Sequence, residues 1–250
     1  MNLIIDIGNS RTKLVAFDGD DAADQSIAEG HSLELLAGFC QRHTFSAAIV
    51  SSVIDITPEA CEALHQLPCP LLTFAADTPT PLHNRYRTPA TLGRDRLAAA
   101  VGAATLLPRH SLLIADMGSC ITFDFVSDRG TFVGGNITPG LHARLRAIDE
   151  FFPRLPHVDT DGDLPELGYD TPTAIRAGVV RGIIHELNGY IDFYSRRYPN
   201  LHTFVTGGDA DIIVRHNARH TTIDPLLVAR GLNVILDYNL QRNTITTNPR

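Results

Sequence analysis

Two carboxylates stand at matching places in this chain. Asp6 closes the apolar run LIID and Asp116 closes LIAD; Gly8 and Gly118 follow two places on, then Thr12 and Thr122, and the members of every pair are 110 residues apart. An Asp at the end of a buried strand puts a carboxylate at a sheet edge, where it can hold a hard cation. The Gly beside it lets the main chain approach a bulky anion closely. Successive N–H groups in such a turn form an anion nest, and Lys13 adds a point charge suited to phosphate. A third glycine turn, Thr206-Gly207-Gly208-Asp209, follows another apolar run and opens a helical pattern. Its N–H groups could meet a further part of a nucleotide. One Asp-x-Gly is a common hairpin. Two in register, with Lys13 and a Thr-Gly-Gly turn, point to a nucleotide site. The two better-known phosphate loops, G-x-x-x-x-G-K-[ST] and a strand-borne G-x-G-x-x-G, are absent.

Strands and helices alternate around these turns. Leu3 to Ile7 reads as a buried strand and Thr12 to Phe17 as its return, closing at Asp18-Gly19. A helix is expected over 33–43, a strand over Ala47 to Val53, a helix from Thr57-Pro58 to about Gln66, and a strand over Leu71 to Phe74. A Pro-rich loop, 77–92, runs into the Ala-rich helix that starts at LGRDR. From Leu112 the pattern restarts with a hairpin whose strands are joined at Ser127 to Gly130. Helices are expected over 139–152, from Thr171-Pro172 to Tyr194, after the T-G-G turn, and from Asp224-Pro225. Each half opens on a hairpin, so both sheets should be mixed, and the repeat suggests two similar α/β domains, 1–111 and 112–250.

Composition narrows the classes. The chain has 250 residues, 44% hydrophobic, enough for a large core in one or two domains. A net charge of −7 without a basic block argues against nucleic-acid or anionic-membrane partners. The opening residues do not read as a signal peptide, since they lack a positive n-region and Asp6 interrupts the apolar run, and no run approaches the ~20 apolar residues of a membrane span. Cys40, Cys61, Cys69 and Cys120 lack metal or redox spacing and read as reduced thiols of a cytoplasmic protein. The eleven His include a single H-x-x-x-H spacing, His216 and His220, without the Glu of a zinc-protease H-E-x-x-H, and a His-based zinc site is not expected. Asp159, Asp161 and Asp163 resemble the start of a calcium loop, but Pro165 follows and Asp170 stands where a Glu is required. Ser51-Ser52 lacks a G-x-S-x-G setting, which argues against a hydrolase nucleophile.

The hairpins and the T-G-G turn resemble the phosphate and adenosine motifs of the acetate kinase/sugar kinase/Hsp70/actin superfamily. Within it, DIGNSRTK (6–13), LGRDR (92–96), DMGSCITFD (116–124) with GGNITPG (134–140), and TGGDA (206–210) resemble the type III pantothenate kinases, in that family's order and at a fitting length. The resemblance implies two ribonuclease H-like α/β domains with mixed sheets, an ATP cleft between them, and ATP-dependent phosphorylation of pantothenate in coenzyme A biosynthesis.

It also implies roles. Asp6, Ile7, Gly8, Asn9, Ser10, Arg11, Thr12 and Lys13 would hold the ATP phosphates, with Asp6 near Mg²⁺. Gly93, Arg94, Asp95 and Arg96 would bind pantothenate, with Asp95 as base; Tyr86 matches a substrate-contacting Tyr. Asp116 would bind a monovalent cation, K⁺ or NH₄⁺, and Ser119 stands where relatives carry an ATP-contacting Thr. Thr171, or else Thr173, would contact substrate from the partner subunit of a homodimer. Ser119-Cys120 replaces the usual Thr-Ala, and Cys120 beside a phosphate site suggests sensitivity to thiol reagents. Other readings are a sugar-type kinase on the same fold, a nucleotide-binding regulator without catalysis, and an actin-like filament protein; 250 residues leave little room for the insertions of the last.

The chemistry bounds what Asp95 can do. A primary alcohol is nearly as weak an acid as water, pKa about 15.7, against about 3.9 for Asp, a gap of roughly 12 units or about 16 kcal/mol. Asp95 therefore cannot strip the hydroxyl before attack. It can orient it and take the proton as the bond to phosphorus forms, which a loose transition state permits. The plainer role for Asp95 is an ion pair with Arg94 or Arg96 at a helix start, where an acidic residue is favourable in itself.

Overall fold

The computed structural model describes residues 1–217 and 219–242. They form two compact units, one of Met1–Arg109, Arg129–Val133 and the segment from Leu226, the other of His110–Asp128 and Gly134–Pro225.

The first unit begins with β1 (Asn2–Ile7), β2 (Arg11–Asp18) and β3 (Asp21–Glu29), an antiparallel meander. Next come α1 (Leu36–Arg42), β4 (Ala47–Ser52), α2 (Pro58–His65) and β5 (Leu71–Thr73). Thr57 caps α2, its Oγ1 accepting from Ala60 N at 3.2 Å, with Pro58 at the first helical position. β4 pairs parallel to β1 and β5 parallel to β4, giving the mixed order β3-β2-β1-β4-β5. Alternation divides the sheet between two layers. Leu3, Ile5, Ile7, Leu14, Ala48 and Val50 pack on Leu36, Phe39, Ala60 and Leu64 of α1 and α2. The other face carries Ile4, Asp6, Lys13, Val15, Ile49 and Ser51. Short β6 (His83–Asn84) and a 3-10 turn, Pro89–Thr91, interrupt the Pro-rich loop, and α3 (Arg94–Leu106) follows.

The second unit repeats the plan with β7 (Ser111–Met117), β8 (Cys120–Ser127), β9 (Thr131–Pro139, of which the part from Gly134 belongs to this unit), α4 (Leu141–Phe151), α5 (Thr171–Ser195), β10 (Leu201–Thr206), α6 (Ala210–Arg215) and β11 (Thr222–Ile223). Its strands run in the order β11-β10-β7-β8-β9, with β10 and β7 parallel and β7 and β8 antiparallel. Leu113, Ala115, Met117, Phe123 and Val205 pack beneath α4, α5 and α6, which leaves Ile114, Asp116, Thr122 and Thr206 on the opposite face.

The last helix, α7 (Leu227–Gln241), returns to the first unit, so the compact units depart from the expected division at 111/112. The cause is close helix packing. A Cβ on Gly231 would run into the Ala98 carbonyl, and one on Gly102 into that of Leu227, so α3 and α7 meet main chain to main chain. Asn2 Nδ2 also donates to Asn233 Oδ1 at 2.9 Å and to Asp237 Oδ1 at 2.7 Å, fastening β1 to α7. β3 is a second departure. Its sequence, DAADQSIAE, is mostly exposed and has no apolar alternation to announce an edge strand.

Candidate active site

The first hairpin closes tightly. Gly8 N donates to Arg11 O at 2.9 Å around Asn9 and Ser10, both exposed. A Cβ on Gly8 would sit 3.1 Å from Arg11 O, so the turn suits glycine. Thr12 is buried and its Oγ1 donates to Gly30 O at 3.0 Å, tying the hairpin to the end of β3. Exposed Arg11 pairs with Glu29 at 3.3 Å. In this register Lys13 lies opposite Asp6, and Thr12 lies opposite Ile7.

Asp6 is buried, and its Oδ1 has no hydrogen-bond partner. Burial pushes its carboxyl up from the ordinary 3.8 to about 6; the Lys13 ammonium pulls it down and the Asp95 carboxylate pushes it further up. The first turn of α3 therefore brings Asp95 within electrostatic reach of the Asp6–Lys13 pair. Asp95 Oδ1 accepts from Arg96 N at 2.8 Å, and a Cβ on Gly93 would come within 2.5 Å of that oxygen. Gly93, the N-cap without a capping side chain, thus leaves room for the carboxylate. Arg94 reaches back to the carbonyls of Pro89, at 3.4 Å, and Ala90, at 3.1 Å. Arg96 is buried with its guanidinium 5.7 Å from the Tyr86 ring centre, and Tyr86 leans on Phe132. Asp6, Lys13, Tyr86 and 93–96 are thus gathered in one unit.

The second hairpin closes differently. Gly118 N donates to Cys120 O at 3.2 Å around Ser119 alone. The register moves by one, so Thr122 lies opposite Asp116. Glycines support this turn from two sides. Gly140 N donates to Ser119 O at 3.1 Å, and a Cβ there would enter the carbonyls of Gly118 and Ser119. A Cβ on Gly207, whose φ is +96°, would lie 2.5 Å from Asp116 Oδ1. Asp209 N donates to Met117 O at 3.0 Å, joining the T-G-G turn to the hairpin. Arg144 holds the approach to Gly140: Nε donates to Pro139 O at 2.8 Å, and Nη2 meets Thr138 Oγ1 at 3.0 Å and Glu186 Oε2 at 2.7 Å. Ser119 and Cys120 are exposed.

Neither hairpin carries Thr171; it is the exposed first residue of α5. Thr173 is buried in the cap of that helix, its Oγ1 within 2.6 Å of Asp170 Oδ1 and accepting from Tyr169 N at 3.1 Å. The Thr173 hydroxyl and its backbone N–H, both donating to Asp170 Oδ1, hold the Asp170 carboxyl below the usual range.

Hydroxyl positions were hidden from sequence reading. Ser52 Oγ donates to Ile54 O at 2.7 Å, whereas its neighbour Ser51 is fully buried and its Oγ has no partner. Thr122 Oγ1 is likewise buried without a partner. Only the strand pairing, Asp6 beside Ser51 and Asp116 beside both Thr122 and Thr206, brings these groups to the carboxylates.

Residues 2–192 match the family profile described as type III pantothenate kinase. A relative from Phocaeicola vulgatus named type III pantothenate kinase is 43% identical over 239 residues, covering 96% of this chain and 99% of the relative. Among solved structures, a conserved putative Baf family transcriptional activator from Campylobacter jejuni superposes with TM-score 0.65 at 21% identity, covering 96% of this chain and 99% of its own. A putative 2-dehydro-3-deoxygalactonokinase from Sinorhizobium meliloti gives 0.58 at 13% identity, over 95% and 99%. The two structures bear on fold alone. The mixed α/β units share the sugar-kinase architecture.

Proposed function

The chain belongs to the type III pantothenate kinase family and phosphorylates pantothenate with ATP, the entry step to coenzyme A, and we propose that Asp95 acts as base beside the phosphate hairpin of Asp6 and Lys13. The observation that carries the assignment is the convergence of Lys13 and Asp95 on the buried carboxyl of Asp6. Asp95 orients the 4′-hydroxyl and receives its proton as the oxygen–phosphorus bond forms; ADP leaves with the electron pair of the broken bond. Lys13 and the Gly8 to Arg11 turn bind and orient the phosphates. Arg96, with Tyr86 against it, is suited to the pantothenate carboxylate.

A buried carboxylate with one unpaired oxygen fits a hard divalent cation, so Asp6 would hold Mg²⁺, which when bound neutralises phosphate charge. Asp116 with the Thr122 hydroxyl offers oxygen donors only, which fits K⁺ or NH₄⁺. Between the two candidate threonines the capping bonds of Thr173 favour Thr171 as the substrate contact.

A homodimer is supported by the outer face of α5. Cβ atoms added at Gly178, Gly182 and Gly189 would meet nothing within 4 Å, and Phe193 beside them is 52% exposed. A recess of about 430 Å³ follows, lined by Asn136, Glu186, Gly189, Tyr190, Phe193 and Tyr194. Such a face suits a second copy of the chain. No helix among the described residues is long and apolar enough to cross a membrane, and we place the enzyme in the cytoplasm.

The test is ADP release with Mg-ATP, K⁺ and pantothenate beside a panel of sugars, with the phosphorylated product weighed by mass spectrometry. Turnover confined to pantothenate supports the reading. Turnover with a sugar instead rejects the substrate. Light scattering reads the dimer.

A further inference from the structure

Asp6 is the middle of a row. The antiparallel partner of Asp6 on β2 is Lys13, and its parallel partner on β4 is Ser51. Residues directly beside one another in a sheet point to the same face, so ammonium, carboxylate and hydroxyl form one polar line across three strands. That line lies on the face away from the α1–α2 core. Ser51 has 0% exposure, and its Oγ is bonded to nothing; Asp6 Oδ1, beside it, is also bonded to nothing. Leaving a buried hydroxyl unpaired is costly, and few such groups survive without a reason. The adjacent Ser52, identical in chemistry, is fully used by Ile54.

The second unit repeats the line. Asp116 has Thr122 on one side and Thr206 on the other, and Thr122 Oγ1 is a buried orphan too. Twice, then, an Asp at the end of the leading strand has an unsatisfied hydroxyl in its own row. A carboxylate beside a hydroxyl is an all-oxygen environment for a hard cation, and Mg²⁺ keeps several waters that need such partners.

We propose that Ser51 is a positioning residue of the kinase: its hydroxyl is the protein partner for the water shell of the divalent cation held by Asp6. The proposal rests on the Asp6 reading above. Ser51 accepts or donates one hydrogen bond to that shell, so the metal-loaded nucleotide is held in one orientation against Lys13.

The experiment compares, by calorimetry, the affinity of AMPPNP with and without Mn²⁺ for wild type, Ser51→Ala, Ser51→Cys and Asp6→Asn. Ser51→Ala keeps its metal-free AMPPNP affinity and its circular dichroism, while the gain from Mn²⁺ falls about ten-fold, the low end for an outer partner of a metal site. Ser51→Cys, near in volume with a weaker partner, falls between. An undiminished Mn²⁺ gain in Ser51→Ala, with the gain lost in Asp6→Asn, overturns the role of Ser51 and leaves Asp6 standing. A gain that survives Asp6→Asn, or its absence in wild type, overturns the Asp6 reading and this one with it. Should Ser51→Ala fail to fold, Ser51→Cys decides: an undiminished gain there overturns the proposal.

Discussion

The two hairpins share a sequence pattern and differ by one residue of register. In the first, Asn9 and Ser10 form the turn, Lys13 faces Asp6, and Thr12 faces Ile7. In the second, Ser119 alone is the turn, and Thr122 faces Asp116. A slip of one turns every side chain of a strand to the other face. Thr12 and Thr122, equivalent in sequence, therefore lie on opposite faces of their sheets. Thr12 is spent on Gly30, while Thr122 is left unpaired beside a carboxylate. The first hairpin, the proposed place for phosphate, has a cationic side chain in the carboxylate's own row. The second becomes an oxygen-lined place without one. A duplicated turn thus acquires two chemistries through the length of its apex.

The sharpest test of that division is Asp95, which acts electrostatically on the first carboxylate, Asp6. Asp95→Asn should fold, keep ATP affinity and lose about 10²–10⁴ in kcat; near wild-type turnover in a stopped assay would remove it from the mechanism.

Next is the charge on Asp6. Its folded pKa of about 6 lies above the ordinary 3.8, so the folded state binds the proton more tightly. Stability is therefore lost as pH rises from about 4 to about 6 and is flat above that. Asp6→Asn should raise metal-free stability at pH 8 by about 3 kcal/mol, a gain that fades towards pH 4, since each pKa unit is worth about 1.4 kcal/mol. Urea melts of both proteins at the two pH values check this; a pH-independent difference would contradict the burial of charge at Asp6.

A smaller effect separates the two threonines. Thr12→Val removes a made hydrogen bond and should cost about 1 kcal/mol, whereas Thr122→Val removes an orphan and should cost nothing. In turn, Thr122→Val and replacement of K⁺ by Na⁺ should each depress activity, while Thr12→Val leaves the cation response alone. Equal melting shifts would erase the difference in register. Last, exposed Cys120 flanks the second apex, so alkylation should weaken ATP binding, and unchanged activity would place the nucleotide elsewhere.

Much of this was legible in the order of residues. The apolar runs before Asp6 and Asp116, the cap at Thr57-Pro58 and the start of α3 at LGRDR are local signals, set by side chains within a turn or a strand of one another. The edge strand β3 was not, because a solvent-facing strand needs no apolar alternation. Nor was the return of α7 to the first unit, which depends on Gly102 meeting Gly231 across 129 residues of chain.

The sequence alone determined the two Asp-x-Gly turns and the resemblance that nominates Asp95, because each motif lies within a short stretch whose geometry is local. Tertiary structure decided which neighbours those carboxylates received. Lys13, Ser51, Thr122 and Thr206 reach them through strand pairing, and pairing register is set by apex length and by which face must be buried. No single stretch contains both partners of a row.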